Sequence, residues 1–382
     1  MDFGYHAYMK TAFIRVGRYG LKITLASLGL AGILYLLLFT PLGNNTFKPL
    51  IEKKLTDVFN TPITVNTFLL THNTLTIQFH DALENSVEVQ GRFSLITLNL
   101  HARYHAKILQ NGGLNTFALP LKTSGSLNGG YGLMMVQGSA SLFDGEVLYR
   151  VQLNRLHPSD MHISIKNINY QGLMQWLEYP HQSSTVLTGE VDLHGLNRRD
   201  VQGDVTLRTQ TQNFSPSKLI DDNSSFDFLS LFTDDKGKIQ PFHLNLTLNA
   251  SIDELGILEQ FAMLPLRGSA HLNTTLQGDQ DRLVLDAKSN IAHSSSHARI
   301  HWKRLSPSYI YVDIKHADAS ALFHLISKKT PTPGTLSLNA ESTSMLKTIH
   351  YRGNFTSKVT RLNFDNTKTH EEMLNDLLKT IP

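Results

Sequence analysis

Apolar residues recur at every second position along most of this chain. Leu75-x-Ile77-x-Phe79, Ile96-x-Leu98-x-Leu100, Met161-x-Ile163-x-Ile165, Leu244-x-Leu246-x-Leu248 and Ile310-x-Val312-x-Ile314 all alternate, with Thr, Asn, Gln, His or Lys at many positions between. A period of two sends the apolar set to one side of a sheet and the polar set to the other. The pattern therefore predicts a mainly β chain, built as an antiparallel sheet with one apolar and one wet face. Helical spacing is confined to short pieces. Phe47 to Phe59 puts Leu50, Ile51, Leu55, Val58 and Phe59 on one side before Asn60-Thr61-Pro62 stops it. Tyr170–Leu177 and Ala319–Ile326 read as single short helices, and Thr369 to Ile381 as an amphipathic terminal helix with Glu371 and Glu372 in its first turn.

One segment follows neither period. Ile23 to Leu42 carries no charge, and about 20 apolar residues span the hydrocarbon core of a bilayer. Lys10, Arg15, Arg18 and Lys22 precede it against the single acid Asp2, so the positive-inside bias keeps the first 22 residues cytoplasmic and exports the rest. A cleaved signal peptide has a shorter apolar region, about 7–15 residues, followed by small residues; here the run exits through Phe39-Thr40-Pro41-Leu42-Gly43. The expected layout is a tail (1–22), an uncleaved transmembrane signal anchor (23–42), a linker helix (43–60), an exported repetitive β domain (61–368) and a terminal helix (369–382).

Composition removes several classes. The chain has no cysteine, hence no disulfide framework and no thiolate chemistry. A net charge of +3 over 382 residues provides no basic field for nucleic acid.

The chain also repeats itself. Arg155 to Leu177 aligns without gaps on Arg304 to Ile326, with Arg155/Arg304, Leu156/Leu305, Pro158/Pro307, Ser159/Ser308, Ile165/Ile314, Lys166/Lys315 and Leu173/Leu322 identical. Met161, Ile163 and Ile165 match Ile310, Val312 and Ile314, so the pleat agrees with the letters. Further on, Gly203/Gly353, Asn213/Asn363 and Phe214/Phe364 fall in register. Two copies of strand, turn, strand, short helix, and a strand opening with Gly189 or Gly334 are predicted, at about 130–214 and 279–364. Such repeats stack into elongated architectures.

An antiparallel sheet with one apolar face has two physical solutions: it closes into a barrel or sandwich, or it curls into a trough filled by something other than protein. Held at a membrane, the trough has the acyl chain of a lipid as its available filler. The candidate lining is Leu75, Ile77, Phe79, Ile96, Leu98, Leu100, Met161, Ile163, Ile165, Ile310, Val312 and Ile314. With strands spaced about 4.8 Å apart, the trough would run on the order of 100–125 Å.

The short tail, single anchor, helix into Thr61-Pro62-Ile63-Thr64-Val65 and strands entered through Gly138-Ser-Ala-Ser-Leu, Gly189-Glu-Val-Asp-Leu, Gly268-Ser-Ala-His-Leu and Gly334-Thr-Leu-Ser-Leu together resemble the AsmA-like family of Gram-negative envelopes, of which TamB- and YhdP-type proteins are longer relatives. The resemblance implies an inner-membrane-anchored periplasmic β-groove, of the bridge-like lipid transfer type, that carries phospholipid toward the outer membrane or maintains that membrane. It also implies an outer-membrane or envelope protein as candidate partner. The family offers no catalytic signature.

Other chemistry is thin. There is no G-x-S-x-G, P-loop or H-E-x-x-H, so no enzyme and no cofactor are expected. His293, His297 and His301 are spaced by four; on a strand, neighbours would stand about 13 Å apart, too far to share one ion, so solvated histidines and no metal are expected. Asp221, Asp222, Asp227, Asp234 and Asp235 lack EF-hand spacing and read as a solvated loop around the apolar Phe226 to Phe232. Asn223, Asn245, Asn273 and Asn354 fit the glycosylation pattern, which would matter in a eukaryotic secretory protein and marks plain strand and turn residues in a bacterial envelope protein. Two rival readings stay open: an assembly scaffold whose sheet edges recruit other strands, and a membrane-bound hydrolase.

Overall fold

Among the described residues the alternating segments at Leu75–Phe79, Met161–Ile165, Leu244–Leu248 and Ile310–Ile314 are strands, and the helices are few. The computed structural model describes residues 39–59, 61–94, 97, 99–108, 121–155, 157–176, 182–196, 200–215, 241–258, 266–325, 333–343, 348–369 and 372. The chain divides into two units, residues 1–130 and 131–382. The predicted anchor lies outside the described residues apart from 39–42, and among the described residues no helix is long and apolar enough to cross a membrane.

The first unit starts with helix α1 (Pro41–Phe59) and continues through β1 (Ile63–Leu70), β2 (Thr74–Asp81), β3 (Ser86–Ser94), β4 (Asn99–Ile108) and β5 (Leu121–Gly130). Each strand pairs antiparallel with the next. The helix begins earlier than the apolar spacing from Phe47 indicated. Thr40 stands ahead of it, its Oγ1 accepting from the Gly43 N–H at 3.5 Å, and Pro41 presets the backbone of the first helical position. On the sheet, Ile51 and Leu55 pack over the buried Ile63, Val65 and Phe79.

The helix also closes the outer edge of β1. Asn44, 3% exposed, donates from Nδ2 to the Leu70 carbonyl at 3.1 Å and accepts from the Leu70 N–H at 3.0 Å. Lys48 Nζ donates to the Asn66 carbonyl at 3.2 Å, and Thr56 Oγ1 accepts from the Ile63 N–H at 3.1 Å. Side chains thus take the place of a neighbouring strand along an edge that would otherwise pair with other chains. Asn44→Ala leaves both Leu70 groups unpaired and should cost about 1–3 kcal/mol, read as a lower urea midpoint and faster exchange of the Leu70 amide; an unchanged exchange rate would refute the edge role.

The second unit contains β6 (Leu133–Leu142), β7 (Gly145–Asn154), β8 (His157–Asn169), α2 (Tyr170–Trp176), β9 (Gln182–His194), β10 (Asp200–Ser215), β11 (His243–Ile252), β12 (Ala270–Asp279), β13 (Arg282–Ser289), β14 (Ser295–Lys303), β15 (Ser306–Asp318), α3 (Ala319–Leu325), β16 (Gly334–Thr343), β17 (Ile349–Ser357) and β18 (Arg361–Lys368). Two 3₁₀ turns, Leu255–Leu258 and Ile291–His293, lie between strands. Consecutive strands pair from β6 to β18, and among the described residues no ladder returns β18 to β6. The sheet is mostly antiparallel, as expected, with one exception: β10 and β11 run parallel, Asp200 opposite His243 through Arg208 opposite Ser251. Residues 216–242 separate them, enough chain for the crossover that a parallel pair requires.

The two copies superpose in detail at a separation of 149 residues. β8 and α2 match β15 and α3 at both ends. Ser159 Oγ donates to the Gln152 carbonyl and Ser308 Oγ to the His301 carbonyl, each at 3.1 Å. Asn169 caps α2 through the Gln171 N–H at 3.0 Å, and Asp318 caps α3 through the Ser320 N–H at 2.8 Å. Left-handed backbone recurs at Phe143/Ala292, Asp144/His293, Arg155/Arg304 and Asn167/His316. The match continues into the next strand, where Ile165 opposite Gly189 and Ile168 opposite Leu187 correspond to Ile314 opposite Leu338 and Ala317 opposite Leu336, but the glycines do not fall in register. Gly334 opens β16, whereas Gly189 sits inside β9 opposite Ile165. Gly203 faces Leu193 while Gly353 faces Leu338, and Phe214 lies on β10 while Phe364 lies on β18. Those identities arise from shared strand composition, since the ladders do not place them equivalently.

Of the terminal helix only Thr369 and Glu372 are described. The Thr369 N–H donates to the Glu372 carboxylate at 3.1 Å and the Glu372 N–H to Thr369 Oγ1 at 3.3 Å, the reciprocal pair that starts a helix. The acidic loop with Phe226 to Phe232 lies outside the described residues.

Candidate functional site

Cross-strand partners share a face, so the ladders of the second unit can be followed strand by strand. One row runs Tyr149, Ile163, Val191, Val205, Leu248, Thr274, Ala287, Ala298, Val312, Ala340, Tyr351. A parallel row runs Val151, Met161, Leu193, Gly203, Leu246, Leu276, Leu285, Ile300, Ile310. A third passes through Val147, Ile165, Gly189, Leu207, Ala250 and Leu272. The face is apolar without a charged residue in these rows, and it joins the β8 triplet Met161, Ile163, Ile165 to the β15 triplet Ile310, Val312, Ile314.

Burial along the face is uneven. From Tyr149 to Val312 every member of the first row is half-buried, the state of a sheet face with incomplete cover. Both margins are sealed. At the margin carrying the helices, Tyr170 and Met174 of α2 pack with Ala250, Ile252, Leu255, Ile257 and Ala270. There the Tyr170 hydroxyl donates to the Ile257 carbonyl at 2.6 Å, and burial pushes its phenol up. The Arg267 N–H donates to the Leu325 carbonyl at 2.8 Å, tying this layer to α3. At the opposite margin, formed by the hairpin turns, Phe242, Leu244, Leu283 and Leu305 close together with Trp302 against them. Between the margins a strip of half-buried apolar side chains crosses the strands.

The strip ends at β16. Leu336, Ala340, Tyr351 and Phe355 are buried, the last with Phe323 of α3 and Phe364 of β18 in one cluster. Tyr351 and Phe355 are 0% exposed, so this end is a packed core.

The reverse face is polar and held by cross-strand pairs. His162 Nδ1 lies 2.5 Å from Asp192, His194 Nδ1 3.0 Å from Asp160, His243 Nδ1 3.0 Å from Asp200 and His297 Nε2 3.0 Å from Asp286. Burial pushes the Asp286 carboxyl up, but hydrogen bonds from Arg299 and His297 outweigh it and hold the group below the usual carboxylate range. Of the three spaced histidines, His293 sits in a 3₁₀ turn while His297 and His301 belong to β14. Among the described residues no three His, Cys, Asp or Glu side chains converge on one ion.

In the first unit Leu75, Ile77, Phe79 and Leu100 share one sheet face. Phe79 is core beneath α1, 5% exposed, while Leu75, Ile77 and Leu100 are half-buried. Ile96 and Leu98 lie outside the described residues, and β4 begins only at Asn99. Sequence alternation missed the face's small members. Gly203, Thr274, Ala287 and Ala298 carry no hydrophobic signal of their own, and only their cross-strand partners reveal the face they occupy. Comparison with models of protein families, with curated proteins and with solved structures found no match to this chain.

Proposed function

We propose that this protein is a membrane-anchored lipid conduit: acyl chains lie along the apolar strip of the second unit while the polar reverse face stays in water. The observation that carries the reading is the uncharged row from Tyr149 to Val312, apolar but for Thr274, half-buried throughout and bounded by packed margins. A closed sandwich would bury those side chains as it buries Tyr351 and Phe355. Each methylene sheltered from water is worth about 0.8 kcal/mol, so a chain of ordinary length gains enough to make such a strip a favourable path. The uncharged run Ile23–Leu42 behind four cations supports an anchor, and the likeness to AsmA-like proteins extends the proposal to phospholipid movement through the periplasm toward the outer membrane, or maintenance of that membrane.

Photocrosslinking in cells tests it. A photoreactive residue at Ile163, Val191 or Val312 should yield lipid adducts by mass spectrometry, and one at Ser164, Glu190 or Asp313 on the reverse face should not. Adducts to protein alone on both faces would overturn the conduit and favour a scaffold.

A further inference from the structure

The hairpin turns β7–β8 and β14–β15 lie on the same margin of the sheet and both place arginine in the left-handed region, Arg155 at φ 50° and Arg304 at φ 52°. In the second turn Leu305 is left-handed as well, at φ 60°, so Arg304-Leu305 occupies the two central positions that Asn-Gly fills at least cost. An L-residue with a long side chain has no intrinsic reason to be there. Leu305 explains itself, because its side chain is buried among Phe242, Leu244 and Leu283 and closes the margin of the strip. The arginines do not. Both are exposed, and among the described residues neither guanidinium makes a hydrogen bond or an ion pair. Their backbones, in contrast, are fixed: the Arg155 N–H donates to the Gly132 carbonyl at 3.3 Å and the Arg304 N–H to the Asp281 carbonyl at 3.1 Å, each on the preceding turn. The nearby carboxylate of Asp279 is already engaged by the Asp281 and Arg282 N–H groups, both at 2.9 Å.

We infer that Arg155 and Arg304 are phosphate contacts, each binding the headgroup of a phospholipid whose acyl chains lie in the adjoining strip. This inference rests on the conduit reading. Strain kept at two equivalent turns is what a functional side chain leaves in a backbone, and a guanidinium presents the planar fork that matches phosphate oxygens. Seven strand steps separate the two positions, about 34 Å along the sheet, so they form successive stations for headgroups on one margin.

The test uses the full chain in detergent micelles and two probes with identical acyl chains, phosphatidylglycerol and diacylglycerol. The variant R155N/R304N substitutes the residue that accepts left-handed backbone most readily after glycine, so its melting temperature should equal or exceed that of the parent. Its preference for phosphatidylglycerol over diacylglycerol should fall about tenfold, the scale of a lost charge-assisted contact, with diacylglycerol binding unchanged. An unchanged preference would overturn the arginine assignment while leaving the conduit standing. Binding of neither probe by the parent would overturn the conduit and the assignment with it. Displacement of phosphatidylglycerol by inorganic phosphate alone would assign the arginines to the free anion and overturn the headgroup reading.

Discussion

Phe355→Ala should destabilise the second unit by about 3–5 kcal/mol, the cost of removing a fully buried aromatic ring that its surroundings cannot collapse to replace. Phe355 is 0% exposed, stands opposite Leu336 and Leu362 on its two neighbours, and its ring lies so close to Gly334 that a Cβ there would come within 2.6 Å. The loss is therefore specific to shape. Phe355→Leu keeps most of the volume and should cost clearly less, and Val359→Ala, at a position 84% exposed, should stay within about 0.5 kcal/mol. Urea unfolding of the three variants gives the order directly. A Phe355→Ala cost no greater than that of Val359→Ala would mean that the β16–β18 end is not a core.

The second large effect concerns the strip itself. Val205→Asp combined with Val312→Asp puts a carboxylate at two half-buried points of the same row, where a passing acyl chain would have to lie against charge. Lipid recovered with the purified protein should fall more than tenfold, since an unpaired carboxylate in an apolar contact costs at least several kcal/mol. Stability should change little, because at half-buried positions each carboxylate keeps access to water. The two readouts separate the rival architectures. In a sandwich the same pair of charges would be buried and the unit would unfold; loss of folding with no lipid in the parent would end the conduit reading.

Local spacing was legible in the sequence. The short helices after β8 and β15 could be read from the spacing of Tyr170–Leu177 and Ala319–Ile326, while the caps at Asn169 and Asp318 came only with the structure. What lay over a strand could not be read. Tyr351-x-Gly353-x-Phe355 alternates as Ile310-x-Val312-x-Ile314 does, yet the first is core and the second half-exposed, because burial depends on α3 and β18 rather than on the strand's own letters. The partner of a strand was equally hidden. Nothing between Val201 and Leu248 announces that β10 and β11 run parallel, and the apparent register of Gly203 with Gly353 pointed to an equivalence that the ladders do not contain. Asn44 was invisible for a related reason: its value comes from a backbone 26 residues away.

That parallel pair has a consequence for the duplication. Seven steps lead from β8 to β15, an odd number, and if each step reversed the chain, the second copy would run upside down relative to the first. Its helix and its arginine would then exchange sides of the sheet. A single step without reversal, between β10 and β11, makes the number of reversals even and restores the sense of the chain. Parity, corrected once between the copies, is what lets α2 and α3 seal one side and Arg155 and Arg304 line the other.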